Sequence, residues 1–228
     1  MSLPSEISFV SLLQYSPGGS DDIAKQSRII RDAIKRDSYV PVRQSDGQIR
    51  QVRAIERAAD AVKRLTGEHP FLARTFGADV VLIPMPRSAP FRDKSALWPP
   101  MSICKALKAR GLSGEVLPIL ERVQPVQKSA YAGRGQRPNP EDHYRSTAVT
   151  GLAELPMFSA KKVTIVDDFI TRGSTFVGVY PHITEAFPGW TVQCFALVRT
   201  QSFISIDQIL DPVEGTITCR NGQPWRHP

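Results

Sequence analysis

The chain has 228 residues, of which 41% are hydrophobic and 22% charged, and 29 Lys and Arg against 22 Asp and Glu give a net charge of +7. This composition is that of a globular protein, it excludes a largely disordered chain, and no apolar run approaches the roughly 18 residues of a membrane helix. The positive charge favours an anionic ligand without choosing between nucleic acid, anionic lipid and a small phosphorylated molecule.

Residues 1–70 are predicted to be helical and basic. Ser20 is predicted to cap a first helix with acidic residues in its first turn. A second helix has apolar residues at helical spacing, and its polar faces are basic from Arg50 to Arg64. This basic helix is either an ordinary solvated surface or a phosphate-binding surface.

From about residue 79, short apolar strands alternate with helices, which is typical of βα units. The sequence therefore predicts an α/β fold, a mainly parallel sheet flanked by helices, with a helical N-terminal segment (1–70), a core (71–202) and a small C-terminal extension (203–228). The predicted strands are 80–83, 116–120, 163–166 and 192–198, with helices around 101–107 and at 174–187, and with a hairpin or edge strand at 213–219.

The stretch 121–148 has almost no apolar periodicity, contains several arginines, and is predicted to be a long polar loop. A long loop inside a compact domain is usually functional or disordered. A function in ligand binding and a merely solvated loop are both open interpretations.

The most informative segment runs from Val163 to Thr175 and reads VTIVDDFITRGST. A buried strand is followed by two carboxylates, two apolar residues and a Thr-x-Gly-x-Thr turn that begins a helix. Asp167 and Asp168 suit the 2′ and 3′ hydroxyls of a ribose, because ionised carboxylates only accept hydrogen bonds. Gly173 permits a tight turn, and the amides at the helix start favour an anion such as a 5-phosphate.

This segment resembles the signature of type I phosphoribosyltransferases, which use it to bind 5-phosphoribosyl-1-pyrophosphate (PRPP). The resemblance implies a type I phosphoribosyltransferase-like fold with a hood, the variable segment that builds the acceptor pocket. It also implies that Asp167 and Asp168 are catalytic and hold Mg²⁺, directly or through water. Arg172 departs from the common pattern, in which this position is often threonine. The residues that the resemblance assigns to the ribose and 5-phosphate are Asp167, Asp168, Thr171, Arg172, Gly173, Ser174 and Thr175.

The family also has a pyrophosphate loop after an earlier strand, and a proline-framed basic turn follows the strand predicted at 80–83. Its residues are Met85, Pro86, Arg87 and Ser88, with Arg92 and Lys94 following. The stretch 121–148 is placed like the family's flexible loop that closes over the ligand. The resemblance therefore implies pyrophosphate contacts for Lys128, Arg134 and Arg137. It also implies a catalytic role for Lys128 and Arg137.

The layout is most similar to the ComF-like branch of these proteins, over residues 79–199. In that branch a strand ending in Pro-x-Pro precedes a basic segment, a helix and an Arg-rich segment. ComF-like proteins often carry a cysteine-rich zinc module at the amino terminus, whereas residues 1–70 contain no cysteine. We therefore expect a relative of that branch that lacks the module.

The resemblance implies a magnesium-dependent enzyme that transfers the phosphoribosyl group of PRPP to a nitrogen acceptor, a nucleobase or amine, and releases pyrophosphate. One alternative is a non-catalytic regulator that senses PRPP or a nucleotide. The other is a nucleic-acid accessory protein in DNA uptake that uses the basic helix. The acceptor stays open, as do nucleic acid as a partner and a homodimer as the assembly, and no membrane partner is expected.

Several side chains have open roles on the acceptor side. The acceptor pocket is expected to draw on residues 1–70 and on the tail from about 203. His143 is a candidate for proton transfer, and Phe169 either stacks on a base or packs internally. The three separated cysteines have no C-x-x-C spacing, so we expect no zinc site or disulfide. This cysteine usage, and an amino terminus without the pattern of a secretory signal, predict a cytoplasmic protein.

Overall fold

The computed structural model describes residues 3–90, 96–126, 138–152, 161–202 and 205–228. Its strands are β1 (Glu6–Tyr15), β2 (Tyr39–Arg43), β3 (Ile49–Arg53), β4 (Gly77–Pro84), β5 (Ser113–Val116), β6 (Leu120–Arg122), β7 (Thr147–Val149), β8 (Lys162–Ile170), β9 (Thr191–Thr200), β10 (Leu210–Arg220) and β11 (Gln223–His227). Its helices are α1 (Asp22–Lys35), α2 (Ala54–Leu65), α3 (Pro70–Thr75), α4 (Pro99–Ala109), α5 (Pro140–Arg145) and α6 (Ser174–Ala186). No helix among these residues is long and apolar enough to cross a bilayer.

The main sheet has seven strands in the order β11-β10-β1-β9-β8-β4-β5. Five neighbouring strands, β1, β9, β8, β4 and β5, run parallel to one another. Next to β1, the strands β10 and β11 are added in antiparallel pairing. Two small antiparallel pairs, β2–β3 and β6–β7, lie outside this sheet. The predicted α/β fold with a mainly parallel sheet is thus confirmed.

Helices cover both faces of the sheet. One face packs against α1 to α4, with Ile34, Val62 and Leu107 among the buried residues. The other face packs against α6, which buries Phe176 and Ile183. Because β4 and β8 are covered on both sides, their sequences are nearly continuous apolar runs rather than alternating ones.

The connections leave β4 and β8 in opposite directions. The chain passes from β4 through α4 to β5 at one edge, and from β8 through α6 to β9 on the other side, with α4 and α6 on opposite faces. In open α/β sheets, ligands bind outside the carboxyl ends of the strands at such a switch point. The carboxyl ends of β4 and β8 therefore lie where open sheets of this kind bind their ligands.

The first seventy residues contain more strand than the sequence predicts. The helices α1 and α2 are present, but β1 lies inside the main sheet, and β2 and β3 form a hairpin. Ile7 and Phe9 of β1 are buried, and the ladder partners that fix this strand are β9 and β10, more than 180 residues away along the chain. The helix α1 is capped by Asp21, whose side chain accepts a 2.8 Å hydrogen bond from the Ala24 amide, and not by Ser20.

Two other predictions are wrong in their boundaries. The strand expected at 116–120 is divided, because the chain leaves the main sheet after β5 and the next strand, β6, pairs with β7. The stretch 121–148 is not a continuous loop, since the helix α5 lies within it. A reciprocal capping box between Asn139 and Asp142 starts that helix, with Pro140 in its first turn. The strands at 80–83, 163–166 and 192–198, the helix at 174–187 and the C-terminal hairpin are confirmed.

Candidate functional site

Asp167 and Asp168, which we call the acidic pair, lie at the carboxyl end of β8. In the sheet, β8 has β4 on one side and β9 on the other. Both carboxyl side chains are half-buried. The strand runs past them to Ile170, and Asp167 lies opposite Ala196 of β9. The amide of Asp168 donates a 2.8 Å hydrogen bond to Oδ1 of Asp167. The pair is thus held by a continuous strand rather than by a free loop.

Burial and charge repulsion act together on the acidic pair. The pKa of Asp167 lies well above its ordinary value because of burial and then because of the neighbouring Asp168 carboxylate, with a smaller opposing effect from Arg122. The ionised form of Asp167 is therefore disfavoured unless a positive charge or a hydrogen-bond donor compensates it. A cation or a pair of hydroxyl donors placed here would stabilise the doubly ionised form, which is what a Mg²⁺ ion or a ribose would supply.

Arg122 is a buried cation behind the acidic pair, with only 6% of its surface exposed. Its Nε donates to the carbonyl of Arg87 at 3.1 Å, and its Nη1 donates to Oγ of Ser146 at 2.7 Å. Burial lowers the pKa of Arg122 to about 10, and the charge of Asp167 opposes that shift. Arg122 therefore stays protonated at neutral pH and links the loop after β4, the end of α5 and the acidic pair. In the sequence it is only one arginine among several in the polar stretch.

The predicted pyrophosphate loop lies directly beside the acidic pair. The Met85 amide donates a 2.7 Å hydrogen bond to the carbonyl of Val166, the residue before Asp167. The indole Nε1 of Trp98 donates to the Met85 carbonyl at 2.8 Å, and the guanidinium carbon of Arg87 lies 5.6 Å from the centre of the Trp98 ring. These contacts fix the loop backbone, while Arg87 and Ser88 are half-exposed and able to meet a ligand.

The predicted phosphate turn joins β8 to α6. Gly173 adopts a left-handed conformation with φ of 91° and occupies the N-cap position, where no side chain caps the helix. Within the described part of the chain, no group accepts a hydrogen bond from the amides of Gly173, Ser174 or Thr175. Uncapped amides at a helix start form an anion site. Thr171 and Arg172 are exposed at the same turn.

The C-terminal hairpin reaches this turn, which the sequence did not predict. A Cβ atom added to Gly173 would lie 2.5 Å from Cδ1 of Ile217 in β10. Arg226 of β11 donates from Nε to the carbonyl of Thr171 at 3.0 Å and from Nη2 to that of Thr200 at 2.7 Å. Ile217 and Arg226 are cross-strand partners, so the register of the hairpin places both side chains at the phosphate turn. Register over such a sequence separation has no local signal.

His143 is buried in α5, with 7% of its surface exposed. Burial and then the nearby charge of Arg122 lower its pKa to about 4, so the imidazole is neutral at physiological pH. The backbone of α5 packs closely on α6, where Gly178 leaves no room for a side chain against His143 and Tyr144. This environment accounts for His143 as a packing residue, and its role in proton transfer stays a prediction.

The structure brings together the acidic pair, the loop 85–88 and the turn 171–175. The other predicted residues, Lys128, Arg134, Arg137, Arg92 and Lys94, lie outside the described residues. The described ranges contain no group of three or more His, Cys, Asp or Glu side chains suited to a metal. No protein-family model matches the chain, and no relative is found among curated proteins. The candidate site therefore stands on its geometry and its motif.

Proposed function

We propose that the chain is a magnesium-dependent phosphoribosyltransferase that binds PRPP and transfers the phosphoribosyl group to a nitrogen acceptor. One observation carries the proposal: the acidic pair, the loop 85–88 and the turn 171–175 meet at the carboxyl ends of β4 and β8. A ligand there faces carboxylates, a basic loop and uncapped amides at once. That combination suits a sugar with a phosphate at each end.

The acidic pair would hold the ribose. Asp167 and Asp168 accept hydrogen bonds from the 2′ and 3′ hydroxyls, and their carboxylates hold Mg²⁺ directly or through water. Mg²⁺ commonly uses one or two carboxylates together with substrate phosphates. When bound, it supplies positive charge to the pyrophosphate oxygens.

The two loops would hold the phosphates at opposite ends of the ribose. The amides of 173–175 and the nearby hydroxyls bind the 5-phosphate, while Arg87 and Ser88 bind the pyrophosphate. An arginine suits this position because its planar guanidinium pairs with two phosphate oxygens. Lys128 and Arg137 would add pyrophosphate contacts from the segment between Val126 and Pro138.

The reaction would be a displacement at the anomeric carbon. The bond from C1 to the pyrophosphate oxygen breaks, pyrophosphate leaves with the electron pair, the acceptor nitrogen forms the new bond to C1, and its surplus proton passes to solvent. The protein contributes position and charge stabilisation rather than a covalent nucleophile. Arg122 supports both by holding the Arg87 carbonyl and by offsetting the charge of Asp167.

The same proposal includes a type I phosphoribosyltransferase fold of the ComF-like kind without a zinc module. The C-terminal hairpin would take the place of a hood strand, since Ile217 and Arg226 contact the phosphate turn. It further includes a cytoplasmic location.

A nucleic-acid role for the basic helix has less support. Among the basic residues from Arg50 to Arg64, Arg53 pairs with Asp37 at 2.7 Å and Arg64 pairs with Glu68 at 3.1 Å. These ion pairs compensate part of the positive charge that a phosphate backbone would need. We therefore keep nucleic-acid binding as the second candidate function.

A pyrophosphate-release assay tests the proposed transfer. The protein, Mg²⁺ and PRPP are combined with a panel of nucleobases and amines. Release that depends on one acceptor is the expected result. PRPP binding without release for any acceptor would contradict transfer and would fit a regulator that senses PRPP.

A further inference from the structure

Two aromatic side chains lie at the carboxyl end of the sheet, close to the acidic pair. Tyr15 is the last residue of β1, and Phe169 follows Asp168 directly in β8. Their ring centres are 6.5 Å apart with the planes at 85°, on either side of the β9 strand that separates them. We call Tyr15 and Phe169 the aromatic pair. It lies on the face of the sheet that packs against α1.

The helix α1 places a cation over each ring. The guanidinium carbon of Arg31 lies 5.0 Å from the Tyr15 ring centre, and Nζ of Lys35 lies 4.9 Å from that of Phe169. These contacts alone would help to hold α1 on the sheet. Apolar side chains would cover the two rings equally well. Packing of α1 on the sheet therefore does not explain why both covering residues are positively charged.

The charge of these two cations is only partly compensated. Nε of Arg31 is 3.0 Å from a carboxylate oxygen of Asp32, a side chain that is half exposed. Lys35 is exposed, and within the part of the chain that the structure describes no carboxylate lies within ion-pair distance of its ammonium. An exposed lysine with this freedom can move from the ring to an incoming anion.

We propose that the aromatic pair, Arg31 and Lys35 form the acceptor subsite and select a planar acceptor that carries a carboxylate. This inference rests on the proposed function, in which Asp168, the neighbour of Phe169 in β8, binds the ribose. The rings offer an apolar surface to a planar heterocycle or arene, and the two cations attract its carboxylate. An uncharged acceptor of the same shape would contact the rings but would not be attracted by the two cations.

Matched ligand pairs test the subsite. The pairs are nicotinate with nicotinamide, orotate with uracil, and anthranilate with aniline, each measured by ligand-observed NMR titration in the presence of Mg²⁺ and ribose 5-phosphate. At least one acid should bind about fivefold more tightly than its neutral partner, as expected for a partly exposed ion pair. The double variant Arg31→Met, Lys35→Met should bring that ratio close to one.

The control variant is Lys25→Met. Lys25 lies on the exposed side of the same helix, where it pairs with Asp22 at 3.0 Å. Its replacement should keep the preference for the acid, which separates a local effect from a change in net charge. A merely structural role of Arg31 and Lys35 would alter thermal unfolding and leave the acid-to-neutral ratio unchanged.

The failures of the two proposals are distinguishable. No preference for any acid, or a preference that survives in the double variant, would overturn the acceptor subsite. Ribose 5-phosphate binding is recorded in the same samples. If the wild-type protein does not bind it, the proposed function fails as well, whereas binding of ribose 5-phosphate without acid preference contradicts the acceptor subsite alone.

Discussion

The amide of Met85 donates a 2.7 Å hydrogen bond to the carbonyl of Val166, which joins the first residue after β4 to the last residue before the acidic pair. This bond extends the ladder between the two parallel strands by one step beyond Pro84. The loop 85–88 therefore starts at a fixed distance from Asp167 and Asp168. The relative position of the two predicted ligand-binding segments is a property of the sheet and does not depend on loop conformation.

Replacing Arg122 by methionine should destabilise the protein. The methionine side chain has nearly the same length but leaves the carbonyl of Arg87 and Oγ of Ser146 without their buried donor. We expect a loss of about 3 kcal/mol in the free energy of unfolding, measured by urea denaturation.

A matched control for Arg122 is Glu121→Gln, since Glu121 is the exposed neighbour on the same strand. It should change the free energy of unfolding by less than about 0.5 kcal/mol. Equal effects of the two substitutions would contradict the structural role assigned to Arg122.

Gly173→Ala should be costly for two separate reasons. An alanine must adopt the left-handed conformation, and its Cβ would lie 2.5 Å from Cδ1 of Ile217. Gly189→Ala isolates the first reason, because Gly189 also has a positive φ but no atom within 4 Å of an added Cβ. We expect losses in the free energy of unfolding of about 1 kcal/mol for Gly189→Ala and about 3 kcal/mol for Gly173→Ala.

A second substitution tests the contact itself. Ile217→Val removes Cδ1, so it should recover part of the stability lost in Gly173→Ala. The double variant should then be more stable than the sum of the two single effects predicts. Strict additivity of the two substitutions would show that Gly173 and Ile217 do not interact.

Buried His143 should make the protein less stable in mild acid. Its pKa is about 4 in the folded protein against 6.5 for the exposed group, so the unfolded chain takes up a proton in this range that the folded protein does not. Above pH 6.5 the buried neutral imidazole costs no stability by this effect. The cost grows as the pH falls toward 4, because the unfolded chain binds the proton more tightly. From pH 7 to pH 5 this residue alone should remove about 2 kcal/mol from the free energy of unfolding.

The variant His143→Gln identifies the contribution. Glutamine does not titrate, so the difference in unfolding free energy between pH 7 and pH 5 should shrink by about that amount. Urea denaturation at both pH values measures it. An unchanged difference would show that His143 is not the group responsible.

Local patterns in the sequence predicted the strands β4, β8 and β9 and the C-terminal hairpin, but they missed β1 inside the main sheet and the small hairpin of β2 and β3. The strands β4, β8 and β9 are short apolar runs between turns, so their hydrophobic pattern is sufficient. The strand β1 contains EISFVSLLQY, whose apolar residues fit a helix nearly as well as a strand. Pairing with distant strands decides its conformation, and that pairing has no local signal.

The residues of the candidate site likewise fall into those that local sequence predicts and those that depend on the packing of separate elements. Asp167, Asp168 and Gly173 were found because strand, carboxylates, turn and helix follow one another directly in the sequence. Arg122 and Arg226 reach the site from β6 and β11, and their contribution depends on how separate elements pack. Their sequence neighbourhoods contain nothing that distinguishes them from the other arginines.

The central claim is that the acidic pair belongs to a PRPP site, and titration calorimetry with PRPP and Mg²⁺ tests it most directly. The comparison is between the wild-type protein and the double variant Asp167→Asn, Asp168→Asn, which keeps the side-chain shapes and removes both charges. Urea denaturation first establishes that the variant is folded. We predict saturable binding to the wild-type protein and no detectable binding to the variant. Equal affinity for both proteins, or no binding to the wild type, would contradict the assignment.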